Sequence, residues 1–231
     1  VWMGEILFRT KLSKNLFEGL SPWMQKLPGG LIHVNVVGCA IFAAISGSSA
    51  ATVATVGKMS IPELRKRNYP EKILLGSLAG SGTLGLLIPP SIILIIYGVT
   101  VQESIAKLFV AGIIPGIMIA LIFMGYVIIW SLFNNKEMPT ILNNYSFVEK
   151  IKKSSQLIPV VLLIICVIGS IYTGIATATE AASLGVVGSL ILSYFQNSLT
   201  WNTFKSSLLG ATVTSCMISF ILAGSAFLSL A

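Results

Sequence analysis

The chain has 231 residues, of which 55% are hydrophobic and only 10% are charged, with a mean hydropathy of +0.88. A soluble domain carries about 25% charged residues to wet its surface, so a soluble domain, a disordered chain, a collagen and a disulfide scaffold are excluded, leaving a polytopic helical membrane protein. The formal charge of +7 comes from 15 Lys+Arg against 8 acids, all Glu, and on short loops between apolar runs it is an orientation signal rather than a nucleic-acid surface.

In chain order, the end of one helix covers residues 1–8. Residues 9–28 are polar and carry Arg9, Lys11, Lys14 and Lys26. Within them Leu12, Leu16, Leu20, Trp23 and Met24 recur at helical spacing, which predicts an amphipathic helix lying in the interface. An apolar run spans 29–57, and a basic loop spans 58–72 with Arg65, Lys66 and Arg67 adjacent. The run 73–99 is interrupted by Gly80, Gly82, Gly85 and the pair Pro89-Pro90. After a short turn at 100–107, residues 108–133 form a span and 134–155 a polar loop. Further spans cover 156–172 and 181–195, and another begins at Phe204. Because both ends fall inside apolar runs, the sequence reads as an internal fragment of a longer protein.

Loop charge sets the topology. If 29–57 crossed the membrane, its flanking loops, with four and five Lys/Arg, would lie on opposite faces and break the positive-inside rule at one of them. If 29–57 enters and returns on one side, loops 9–28, 58–72 and 134–155 are all cytoplasmic. The soft centre Ser46-Gly47-Ser48-Ser49 suits the turn of such a re-entrant hairpin, because its hydroxyls can satisfy local backbone. Irregular backbone at membrane depth must be buried in protein or line a cavity. The natural partner is the interrupted stretch Gly80–Ser91, where the prolines remove N–H donors and strip carbonyls of partners. Tip hydroxyls plus freed carbonyls make an all-oxygen shell suited to a hard cation such as Na⁺, and exposed N–H groups suit an anion.

Other residues have plainer explanations. Cys39, Cys166 and Cys216 lack metal or redox spacing and are expected as small buried packing residues. His33, the single histidine, is expected to pack or to bond a helix end. Asn35 is expected to brace the hairpin. Thr177 or Thr179 would cap the next helix, with Glu180 in its first turn. An intramembrane serine hydrolase would need His33 against Ser48 or Ser81. Ser48 lies roughly 20 Å along the helix from His33, and Gly80-Ser81-Gly82 is not a nucleophile elbow.

The motifs Gly47-Ser48-Ser49-Ala50-Ala51-Thr52 and Gly82-Thr83-Leu84-Gly85-Leu86-Leu87-Ile88-Pro89-Pro90-Ser91 resemble those of the large membrane subunit of tripartite ATP-independent periplasmic (TRAP) transporters. The resemblance runs nearly end to end, through Met3–Leu7, Leu27–Gly30, Ile61–Leu64, Ala111–Gly116 and Thr179–Ala182. Many members have Thr-Pro-Thr-Glu-Ala at the last motif, where this chain has Ala178 in place of the Pro.

The resemblance implies an all-α elevator-type fold with inverted repeats, each supplying a re-entrant hairpin and a broken helix. It implies Na⁺-coupled uptake of an organic acid (a C4-dicarboxylate, sialic acid or a similar carboxylate) across the bacterial inner membrane. Implied partners are a periplasmic substrate-binding protein and a small four-helix membrane subunit, separate or fused. The chain then divides into an end of a scaffold helix with an interfacial arm (1–28), a transport-domain part (29–107), a helix with its cytoplasmic loop (108–155) and truncated scaffold helices of the second repeat (156–231). A second hairpin and second broken helix are expected beyond Ala231. Ser46, Gly47, Ser48 and Ser91 are the expected substrate contacts. Gly47, Ser48, Ser49, Gly82, Thr83, Ile88, Pro89 and Pro90 are the expected Na⁺ ligands. The alternatives are a non-transporting assembly or sensor subunit on the same fold, and the hydrolase.

Overall fold

The computed structural model describes residues 1–10, 12–139 and 145–230. Its helices, in chain order, are α1 (Trp2–Phe8), α2 (Leu12–Met24), α3 (His33–Ser46), α4 (Ser49–Lys66), α5 (Glu71–Gly82), α6 (Ile92–Thr100), α7 (Ile105–Phe133), α8 (Phe147–Ser154), α9 (Ile158–Tyr172), α10 (Ala178–Phe195) and α11 (Trp201–Leu230), with no strand among the described residues. Short 3₁₀ turns at Gly30–Ile32 and Thr83–Leu86 lead into α3 and continue α5.

Helices α3 and α4 form the hairpin. Only Gly47 and Ser48 separate them. Gly38 and Val56 are equidistant from Gly47 in sequence, and a Cβ on Gly38 would lie 3.6 Å from Val56 Cγ1, so the two helices run antiparallel. At the open end, the Tyr69 hydroxyl accepts a 3.0 Å hydrogen bond from Leu31 N–H. Both basic flanks therefore sit at one end of the molecule. Burial raises the Tyr69 pKa above its ordinary value. At about 1.5 Å per residue, α3 is roughly 21 Å long, too short for a hydrocarbon core of about 30 Å.

Helix α5 lies antiparallel to α4. A Cβ on Gly57 would come within 2.9 Å of Leu78 Cδ2, Gly82 abuts Val53, and Gly85 abuts the Ser48–Ser49 backbone. Asn35 braces the third side of this trio, its Nδ2 donating to Leu74 O at 3.2 Å and to Ser77 Oγ at 3.0 Å. Val34, Phe42, Val56, Leu64, Leu74 and Leu78 fill the space between the three helices. Close packing by small residues substitutes here for a hydrophobic force that lipid does not supply.

Around the trio, α7 packs on α3, α5 and α6, and α1 packs on α10 and α11. The Trp2 indole donates to Ser207 Oγ at 3.3 Å, and Gly185 makes room for Met3. The arm α2 is held by α8: Trp23 Nε1 donates to Ser154 Oγ at 2.7 Å, and that hydroxyl donates to Gly19 O at 3.2 Å. Among the described residues, α7, α10 and the stretch Trp201–Ser225 of α11 are long and apolar enough to cross a membrane, and α8 with α9 joins them if that pair, bent by 54°, counts as one span.

The structure corrects three expectations. Most of the basic stretch 58–72 is helical, because α4 continues to Lys66; Arg65 and Lys66 occupy its last turn, where cations complement the helix dipole. The polar loop 134–155 contains α8, which starts at a capping box of Ser146 and Glu149. Cys39 is buried, but Cys166 and Cys216 are exposed on α9 and α11. In a membrane chain an apolar residue gains as much from lipid as from protein, so hydropathy did not separate the two cases.

Candidate functional site

The hairpin tip is built from its own side chains. Gly47 adopts a left-handed conformation (φ +60°) and its N–H closes α3 on Ala43 O at 2.9 Å. Ser48 is extended and caps α4, its Oγ accepting from Ala51 N–H at 3.4 Å. The Thr52 hydroxyl donates to Ser48 O at 2.7 Å, the Ser46 hydroxyl donates to the same carbonyl at 3.2 Å, and the two hydroxyls lie 2.9 Å apart. Ser48 N–H in turn donates to Ser46 Oγ at 3.3 Å. Ser49 Oγ is buried and has no hydrogen-bond partner among the described residues.

The broken helix meets this tip backbone to backbone. Ile92 N–H donates to Gly47 O at 3.2 Å, and a Cβ on Gly47 would stand 2.6 Å from Pro90 O. On the other flank, a Cβ on Gly85 would stand 2.8 Å from Ser49 N. Ser91 is fully buried at the start of α6 and donates its hydroxyl to Leu86 O at 2.7 Å. Among the described residues, no hydrogen bond is donated to the carbonyls of Leu87, Ile88, Pro89 or Pro90. The break rests on α7 at two glycines: Gly112 faces Leu87 O and Gly116 faces Ile88.

Ser46, Gly47, Ser48 and Ser49 thus come together with Gly82, Pro90 and Ser91, while Ile88 and Pro89 lie on the α7 side of the same break. Thr83 stands apart: it is exposed and its hydroxyl donates to Gly80 O at 2.7 Å, within its own helix. Gly82 is buried against Val53 and offers backbone only. The carbonyl end of α3 and that of the α5 extension meet here, as do the N–H ends of α4 and α6. Partial negative and partial positive helix ends therefore occupy one locus. A cavity of about 120 Å³ adjoins it, lined by Ser46, Gly47 and Pro90 together with Met3, Val167 and Ile171, and no charged side chain of the described residues lines it.

The residues that sequence reasoning did not single out are the spacers. Gly4 abuts Ser46, and Thr52 ties the tip together. A lone Gly in an apolar run carries no signal of what it faces. His33 lies at the far end of α3, with Nε2 2.7 Å from Pro28 O. Ser81 bonds Ser77 O, so neither serine has a histidine beside it and the hydrolase has no geometry. Thr177, rather than Thr179, caps α10, in a capping box with Glu180.

A helix reversed at a Gly-Ser tip and held against a second, broken helix, in a chain with several helices long and apolar enough to cross a membrane, defines a class: polytopic helical membrane proteins. All 231 residues match the model of a family described as "Tripartite ATP-independent periplasmic transporter, DctM component", and the chain belongs to that family. It is 33% identical, over 95% of its length, to the C4-dicarboxylate TRAP transporter large permease protein DctM of Pseudomonas aeruginosa, covering 51% of that relative. It is 35% identical, over 90% of its length, to the isethionate TRAP transporter permease protein DctMQ of Oleidesulfovibrio alaskensis, covering 32% of it. It is 30% identical, over 98% of its length, to the ectoine/5-hydroxyectoine TRAP transporter large permease protein UehC of Ruegeria pomeroyi, covering 53% of it. The chain spans about half the length of the first and third of these relatives and about a third of the second. All three are named as permease proteins, not enzymes.

Proposed function

We propose that this chain is part of a bacterial inner-membrane permease that takes up an organic acid with Na⁺, its hairpin tip and broken helix forming one ion and substrate site that moves as a unit in an elevator cycle. The observation that carries this reading is the unpartnered Ser49 Oγ, buried where the tip meets the break, together with the undonated carbonyls of Leu87–Pro90. These are oxygen donors without competing partners, as a hard cation requires. Among the described residues no three His, Cys, Asp or Glu converge, so a transition-metal site has no ligands.

Ser48, Ser49 and the backbone of Gly47, Ile88, Pro89 and Pro90 would hold Na⁺, whose charge when bound offsets part of the substrate's carboxylate. Gly82 shapes the backbone beside them, and Thr83 would contribute only if its hydroxyl left Gly80. The N–H ends of α4 and α6, with Ser46 and Ser91, would face the carboxylate. The relatives are named for a dicarboxylate, a sulfonate and a zwitterionic carboxylate, all bearing an oxyanion, which is the group such helix ends bind. The remaining half of the site would come from a second hairpin and a second broken helix of an inverted repeat. A periplasmic binding protein would deliver the substrate, and a small membrane subunit would complete the scaffold; the name DctMQ fits a fused arrangement in one relative.

The test is uptake by the full-length complex as Na⁺ is varied. Ser49→Ala should raise the half-saturating Na⁺ concentration about tenfold, the worth of one charge-assisted contact. Unchanged Na⁺ dependence would remove Ser49 from the site. Uptake indifferent to Na⁺ in the unmodified complex would reject the coupling.

A further inference from the structure

A second cavity, of about 780 Å³, opens at the end of the molecule that carries both basic flanks, between α1 and the arm α2 on one side and α4 on the other. Four cations line it, Arg9, Lys58, Arg67 and Lys153, against two carboxylates, Glu18 and Glu63; with Glu5, which pairs with Arg9 from outside the lining, the balance is four positive charges to three negative. Two of the cations are already matched: Arg9 pairs with Glu5 at 3.1 Å and Arg67 with Glu63 at 3.6 Å. Lys58 and Lys153 have no carboxylate partner among the described residues. Each lies over an aromatic ring instead, Lys58 at 5.9 Å from Phe8 and Lys153 at 4.1 Å from Tyr145. A ring positions an ammonium without neutralising it, so both charges remain available to an anion.

The uncharged lining is mixed: Phe8, Phe17, Met59 and Pro62 supply apolar surface, and Thr10, Ser21, Thr55 and Tyr145 supply polar groups. The four apolar residues form a surface that a small soluble anion would leave uncovered. Moreover, Ser154, the residue after Lys153, begins a separate apolar groove of about 450 Å³ along α9, through Leu157, Val161 and Ile165. A charged recess at the interface, beside a groove running along a span, matches a molecule with an anionic head and an acyl tail. We infer that this cavity binds an anionic glycerophospholipid, with its phosphate between Lys58 and Lys153 and a chain along α9. The lipid then fills the gap between the arm and the hairpin on the cytoplasmic side. The inference stands whether or not the ion site is placed correctly, because it uses none of the same residues.

The experiment is native mass spectrometry of the full-length complex after equilibration with equal phosphatidylglycerol and phosphatidylcholine. The unmodified complex should retain phosphatidylglycerol in preference. In the double variant Lys58→Gln, Lys153→Gln, retention should fall about thirtyfold, and Lys58→Arg, Lys153→Arg should restore it, which separates lost charge from lost folding. Lys72→Gln, on the same face but outside the cavity, should change nothing. Equal retention of the two lipids by the unmodified complex, or unchanged phosphatidylglycerol retention in the double glutamine variant, would overturn the inference. So would displacement of the lipid by inorganic phosphate alone, since a site for a soluble anion would then suffice.

Discussion

At Gly47 two independent constraints meet: its φ of +60° disfavours any side chain, and a Cβ would press to 2.6 Å from Pro90 O. Gly47→Ala should therefore cost at least about 1–2 kcal/mol from backbone strain alone, and more from the displaced break. Gly76 offers the internal comparison. It lies in α5 with nothing within 4 Å of its missing Cβ, so Gly76→Ala should be neutral or stabilising by about 0.5–1 kcal/mol. Thermal unfolding of the purified full-length protein should separate the two variants in opposite directions. Asn35 is a second residue with a definite task. Asn35→Leu removes two hydrogen bonds to α5 and leaves Ser77 and Leu74 O to find others, which should lower stability by about 0.5–2 kcal/mol in the same assay.

Among the elements, the arm α2 shows how an amphipathic helix is fixed to its neighbour. Trp23 reaches Ser154 and meets Phe147 edge-on at 6.3 Å, while Lys150 sits 5.3 Å above its ring. Trp23→Ala should release α2 from α8, and hydrogen exchange at Leu16–Leu20 should quicken by at least tenfold while α3 stays protected. The arm was legible in the sequence because its apolar residues repeat at helical spacing over three turns. The turn between α3 and α4 was legible for another reason: Gly and Ser marked it, and the charge of the flanking loops argued for a return rather than a crossing. Helix α8 escaped notice because eight residues with four charges resemble a loop, although Ser146 and Glu149 stand at capping-box spacing. The continuation of α4 past Lys58 and through Pro62 escaped because five basic residues between 58 and 72 read as a loop. At the tip, residue types pointed to two segments that the fold brings into contact. They did not show that Thr83 is turned onto its own helix, or that Ser49 is the hydroxyl left without a partner, since both depend on rotamers and neighbours that sequence spacing does not encode.

For the whole molecule, we propose that α3 and α4 enter the membrane and return, so that the tip meets the broken helix at depth. Two features carry it: the Tyr69–Leu31 bond that closes the open end, and the Gly47–Ile92 bond that ties the tip to the break. The measurement that tests it most directly is labelling with a membrane-impermeant maleimide in oriented vesicles, using full-length protein in which Cys39, Cys166 and Cys216 are replaced. Lys26→Cys and Lys72→Cys, on either side of the hairpin, should both react from the cytoplasmic face only, and Glu103→Cys, beyond α6, from the opposite face only. Labelling of Lys26→Cys and Lys72→Cys from opposite faces would mean that the hairpin crosses the membrane, and the meeting of tip and break at one site would be contradicted.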